Sequence, residues 1–152
     1  MESKDIVFAA ANAHKSHWRE TRARPDGQKV AAKVTSEWQK AVQQSDPTRF
    51  IIDAPVAAHL RESLALFDSR DGVAYEFGLS RNNLDCELYR DLFKAWVAKH
   101  HSQPSLKSLV FIATEPASNK LRSGLAKDVM SAGTTLGVGL EFAFIRTRKI
   151  TR

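Results

Sequence analysis

Near the N-terminus His14, His17 and Glu20 stand three residues apart, side-chain types that bind transition metals on an interval that aligns them along one side of a helix. A polar helix face turned to water shows the same interval and needs no metal, and that plainer reading is kept. His100 and His101 end an apolar segment, where an imidazolium would meet the negative end of a helix. Cys86 is the single cysteine, which excludes an internal disulfide and a cysteine-based zinc cluster and agrees with a reducing compartment; it is expected to be an inert helix residue. Trp18, Trp38 and Trp96 are of a type that stacks on bases, but each falls among apolar residues at helical spacing, as core residues do. No nucleophile elbow, phosphate-binding loop or dinucleotide fingerprint occurs, since Gly137-Val138-Gly139 runs into an apolar stretch instead of opening a helix.

Any such residue has to be held by a scaffold, and the sequence predicts one α/β domain. The Ala-rich stretch from Asp5 to about Thr21 favours a helix, which Pro25-Asp26-Gly27 stops. Val30, Val34, Trp38 and Val42 then recur every four residues with lysines and Glu37 on other faces, the pattern of an amphipathic helix. Beyond Ser45-Asp46-Pro47-Thr48 three strands are expected, over about 49–54, 59–68 and 72–79, the last two joined as a hairpin by Ser69-Arg70-Asp71-Gly72. Leu88, Leu92 and Trp96 with Tyr89, Phe93 and Val97 give the next helix a broad apolar face, so it should be well buried. Leu109-Val110-Phe111-Ile112 predicts a central strand covered on both faces. A helix carrying Leu121, Leu125 and Val129 and a last strand over 140–145 complete a mixed sheet flanked by helices. This divides the single domain into a helical part over 1–48, an α/β core over 49–145 and a basic tail over 146–152.

The formal charge is +6, and four positive charges with no acid fall in the last seven residues, Arg146 to Arg152, so the remainder is close to balanced. A basic tail suits phosphate contacts and suits a solubilising end equally well. No stretch approaches the roughly 18 to 20 apolar residues that span a bilayer, and the N-terminus lacks the pattern of a secretory signal; a cytoplasmic protein is expected.

Within the third strand, side chains alternate, so Glu76 and Gly78 face one way while Tyr75, Phe77 and Leu79 face the apolar other. The run Leu60 to Asp68, the turn, Gly72 to Ser80 and the helix containing Glu87-Leu88-Tyr89-Arg90-Asp91-Leu92-Phe93-Lys94 together resemble the PD-(D/E)XK, or restriction-endonuclease-like, nuclease superfamily, over about residues 50–145. The resemblance implies an acid on one hairpin strand and a Glu-x-Lys triplet on the next, holding a divalent metal that activates water for phosphodiester hydrolysis. Glu76 matches the glutamate, while Ser63 stands where the first acid belongs and Gly78 where the lysine belongs. The site so implied lacks one metal ligand and the charge that would orient water.

Two substitutes are conceivable on this pattern: Asp68 or Glu62 for the missing acid, and Lys94 or Arg90 for the missing charge, Lys94 being the better candidate. Glu62 faces away from Ser63, Asp68 sits beside a turn as a solvated carboxylate would, and Lys94 falls on a helix side expected to face solvent. The leading expectation is therefore a catalytically impaired domain of this superfamily that binds nucleic acid through phosphate contacts, with Arg61, Arg81, Asn82, Asn83, Arg90, Lys120 and Arg122 as candidate residues. The alternatives are a protein-interaction or oligomerisation module, and a Mg²⁺-dependent nuclease in which Glu76 and Lys94 are catalytic and Glu76 and Asp68 hold the metal.

Overall fold

The computed structural model describes residues 1–17, 27–79, 84–118, 121, 128, 130, 131, 133 and 135–146. In chain order the elements are α1 (Ser3–Ser16), α2 (Gly27–Ser45), β1 (Phe50–Pro55), β2 (Ser63–Asp68), β3 (Val73–Gly78), α3 (Leu84–His100), β4 (Ser108–Thr114), a 3₁₀ turn over Glu115–Ala117 and β5 (Gly139–Ile145). Leu121, Asp128, Met130, Ser131, Gly133 and Thr135, between the turn and β5, are helical. The five strands form one mixed sheet in the order β1-β2-β3-β4-β5; β1, β2 and β3 pair antiparallel, and β4 and β5 run parallel to β3.

Two apolar layers explain why the strands stack this way. One face of the sheet, with Phe50, Leu66, Tyr75, Val110 and Ile112, is covered by Ile6, Ala10 and Ala13 of α1 and by Val34, Trp38 and Val42 of α2, the stripe read from the sequence. Trp38 is fully buried, and its indole N–H donates to the Ile6 carbonyl at 3.1 Å, which fastens the two helices together. The other face, with Leu64, Phe67, Ala74, Leu109, Phe111 and Ala113, is covered by Leu84, Leu88, Leu92, Ala95 and Ala98 of α3. β4 contributes to both layers, which is why its sequence is apolar without alternation.

Several elements differ from the sequence reading. The second strand begins at Ser63, because Ala58 and His59 form a turn and the exposed Leu60, Arg61 and Glu62 that follow it have no place in the strand ladder. Phe93 is 63% exposed, since the buried side of α3 is narrower than its apolar content suggests. His14 is buried, against an expected exposed face, and His17 pairs with Glu37 on α2 at 2.6 Å. Glu20 and Trp18 lie outside the described residues. Trp96 is half-buried and meets His100 edge-on, with ring centroids 5.4 Å apart. The β2–β3 hairpin itself is as expected, closed at Gly72, whose positive φ of 69° and 2.3 Å approach of an added Cβ to the Ser105 carbonyl require glycine.

The β1–β2 ribbon changes face halfway along. Phe50 and Ile52 join the α1/α2 layer and Ala54 the α3 layer; Leu66 and Leu64 divide in the same way, while the pairing register stays constant. The change falls at Asp53 and Ala65, a pair missing from the ladder, with Asp53 in the left-handed region at φ 50°. Gln39 of α2 holds both sides of the kink: its amide nitrogen lies 3.1 Å from Asp53 Oδ1 and 2.6 Å from the Ala65 carbonyl. Past Leu66 and Tyr75, β2 also separates from β3.

Candidate functional site

Where β2 leaves β3, the Ala65 N–H loses its place in the ladder, and a buried donor without a partner is costly. The Glu76 side chain fills that role, Oε1 accepting from Ala65 N at 3.0 Å. The same oxygen lies 3.0 Å from Lys94 Nζ, and that ammonium lies 3.0 Å from Asp91 Oδ1, one turn earlier on α3. All three are largely shielded from water, the side chains of Glu76 and Asp91 being 7% exposed and that of Lys94 11%. β3 thus presents an acid, and α3 a base and a second acid, across the gap where the sheet opens.

Burial pushes the Glu76 carboxyl up to about 7, and the neighbouring Asp91 charge adds to the rise; the Lys94 ammonium and the Ala65 amide oppose it without overcoming it. Asp91 is raised for the same first reason, burial, with Lys94 opposing. For Lys94 burial works downward, but two carboxylates within reach outweigh it and the ammonium is raised. The cluster is therefore a lysine clamped between two acids that resist ionising together, with one carboxyl changing charge near neutral pH.

Such groups are the raw material of general acid–base chemistry. The described surroundings give them structural work: the carboxylate and ammonium fasten α3 to the kinked β2, and the apolar α3 layer encloses them. A shallow concavity of about 480 Å³ lies elsewhere, on α2, lined by Ala32, Lys33, Ser36, Glu37 and Lys40.

The nuclease-like expectation places Ser63 beside Glu76, and the register does not. Leu66 is opposite Tyr75, Phe67 opposite Ala74 and Asp68 opposite Val73, so a continued ladder would bring Ser63 to Gly78 rather than Glu76, and the ladder stops before that. Nor does Glu76 stand alone over an open polar hollow, since it is 5% exposed and shares Lys94 with Asp91. Lys94 does reach Glu76, so one of the two substitutions considered from sequence is realised in space; its expected solvent-facing position is corrected to a buried one, because Lys94 points into the gap while Arg90, four residues earlier, stays exposed. Gly78 faces Phe111, and a Cβ there would lie 2.4 Å from Phe111 Cζ and 2.8 Å from Leu84 Cδ1, so the volume of a lysine stem is filled by the core.

Asp68 is at the other end of β2. It is 1% exposed rather than solvated, gripped by Arg49 Nε at 2.9 Å and Nη2 at 2.6 Å, and it also accepts from the amides of Arg70 and Asp71. Its oxygens are committed to a salt bridge and the hairpin turn, which does not suit a metal ligand shared with Glu76. Among the described residues no three His, Cys, Asp or Glu side chains come together as a metal-binding set, and the Glu76 oxygen faces an ammonium where Mg²⁺ would need further oxygens. The residues present do not fit the metal.

Of the candidate nucleic-acid contacts, Arg61 and Arg90 are exposed, while Arg81, Asn82, Asn83, Lys120 and Arg122 lie outside the described residues. Sequence reasoning missed Asp91 and Arg49. Asp91 carried a signal, an acid within the buried stripe Leu88, Leu92 and Ala95; Arg49, nineteen residues from its partner, carried none. Compared with protein-family models, with curated proteins and with solved structures, the chain matches none.

Proposed function

We propose that this chain is a nucleic-acid-binding domain built on a degenerate PD-(D/E)XK-like core, gripping phosphates without cutting them. The observation that carries the reading is the rim formed by the carboxyl ends of the parallel strands β3, β4 and β5. In mixed α/β sheets this is the rim at which ligands collect. The exposed Arg61, two residues before β2, and the exposed Arg146, directly after β5, belong to it. The segments that continue from these strand ends carry Arg81, Asn82 and Asn83, then Lys120 and Arg122, then Arg148, Lys149 and Arg152. At the opposite rim the basic Arg49 and Arg70 are neutralised by Asp68 and Asp71. Loss of cutting follows from the buried cluster: a carboxylate tied to an amide and an ammonium, with the acid of its neighbouring strand, Asp68, held by Arg49 at the far end opposite Val73, has no means of holding a metal and a water against phosphate.

The test is fluorescence anisotropy with a labelled duplex and a labelled single strand, read at low and at physiological salt. Binding at low salt that weakens steeply as salt rises is expected, with Arg61→Glu reducing it. No binding to either strand form at low salt rejects the reading. Plasmid incubated with Mg²⁺ or Mn²⁺ should stay intact; cleavage abolished by Glu76→Ala would replace the binding reading with the enzyme one.

A further inference from the structure

One line of side chains on α3 is aromatic and turned toward water. Tyr89, Phe93, Trp96 and His100 follow one another at intervals of four, three and four residues, which sets them along one side of the helix. Phe93 is 63% exposed, His100 is exposed, and Tyr89 and Trp96 are half-buried. Tyr89 rests against the α3 layer of the core, whereas Phe93 and Trp96 belong to neither apolar layer. Among the described residues neither the Tyr89 hydroxyl nor the Trp96 indole N–H makes a hydrogen bond. From Arg90 to His100 the helix carries one acid, Asp91, which is buried and bound to Lys94, so the charge this stretch shows to water is positive. Arg90, one turn before Phe93, is exposed and makes no ion pair among the described residues.

These groups choose their occupant. An apolar partner would strand the hydroxyl, the indole N–H and the guanidinium, each of which needs a polar counterpart. A planar ligand with hydrogen-bonding edges and negative charge uses all of them. We propose that this side of α3 is a base-stacking platform for single-stranded nucleic acid, with Phe93 and Trp96 taking the faces of bases and Arg90 the phosphates between them. The strand is single for a geometric reason. A rise of about 1.5 Å per residue spaces the rings by roughly 4.5–6 Å along the helix, wider than the roughly 3.4 Å between stacked bases, so they match bases that have come apart. A duplex keeps its base faces covered. The assignment rests on the nucleic-acid reading and goes further, naming the class of nucleic acid and the side chains that meet its bases.

Fluorescence anisotropy tests it with three labelled probes: oligothymidylate, an abasic strand of the same length, and a duplex. At low salt oligothymidylate should bind more tightly than the abasic strand, which offers the same phosphates and no bases. Phe93→Ala, an exposed position outside both apolar layers, should weaken oligothymidylate binding about fivefold or more, the loss of one stacked base, and leave the abasic strand and the duplex as they were. Its salt slope should not change, whereas Arg90→Ala should reduce the single-strand slope by about 0.7. Equal binding of oligothymidylate and abasic strand, or Phe93→Ala binding oligothymidylate as the unmodified chain does, overturns the platform and leaves the phosphate-gripping reading standing. No binding of any probe at low salt ends both. Sedimentation equilibrium of the free chain separates the other occupant: twice the 17.0 kDa chain mass, returned to the single mass by Phe93→Ala, would give this face to a second copy and overturn the proposal.

Discussion

Glu76 and Asp68 are both acids buried against a base, but their partners differ. Asp68 accepts from a bidentate guanidinium and from two amides. Glu76 shares a single ammonium with Asp91, and burial wins: its carboxyl rises from an ordinary 4.5 to about 7. A carboxyl raised on folding binds more protons in the native state, so its contribution to stability is whole below pH 4.5 and is lost as pH rises through about 7. Asp91, also raised, acts in the same sense. Glu76→Gln keeps an acceptor for Ala65 N and removes the titration. Thermal unfolding followed by circular dichroism at pH 5 and pH 8 should show the unmodified protein losing stability over that interval and the variant losing distinctly less. An unchanged pH dependence would mean that Glu76 does not carry it.

At the scale of elements, the packing of β3 against β4 and α3 decides which chemistry the hairpin can host. Phe111 and Leu84 fill the space over Gly78, so a larger residue there forces a fully buried ring to move. Gly78→Ala should cost on the order of 1–3 kcal/mol in urea unfolding by this overpacking. Gly139→Ala, whose added Cβ would lie 3.6 Å from Ser108 Cβ, is the tolerant comparison and should stay close to the unmodified protein. Equal effects from the two would show that Phe111 yields easily. The same packing explains what the sequence could and could not reveal. The α2 stripe of Val34, Trp38 and Val42, the β2–β3 hairpin and the unalternating β4 are local patterns, and each was legible. The kink at Asp53 and Ala65 was not, because it depends on Gln39 of one element and Glu76 of another. Neither was the register of Ser63, since a strand that peels away leaves no mark in its own alternation. Lys94 was legible as a candidate, but its burial was not, because only the gap between β2 and β3 gives a lysine on α3 somewhere to point.

For the molecule as a whole, strand and charge fall on different parts of the C-terminal segment. The last seven residues hold four of the positive charges that make up the net +6, and they begin at Arg146, one residue beyond β5. No described helix is long and apolar enough to cross a membrane, and the polyanion proposed for this tail is nucleic acid. Ending the chain after Ile145 removes those charges and leaves every strand intact. If the tail grips phosphates, the slope of log affinity against log salt should shrink by up to about 3–4, since each neutralised phosphate contributes about 0.9. Thermal stability should not change, because the tail begins outside the last strand and its first residue is exposed. A truncated chain that binds duplex with an undiminished salt slope would place the phosphate contacts on Arg61 and the loops of the strand-end rim instead.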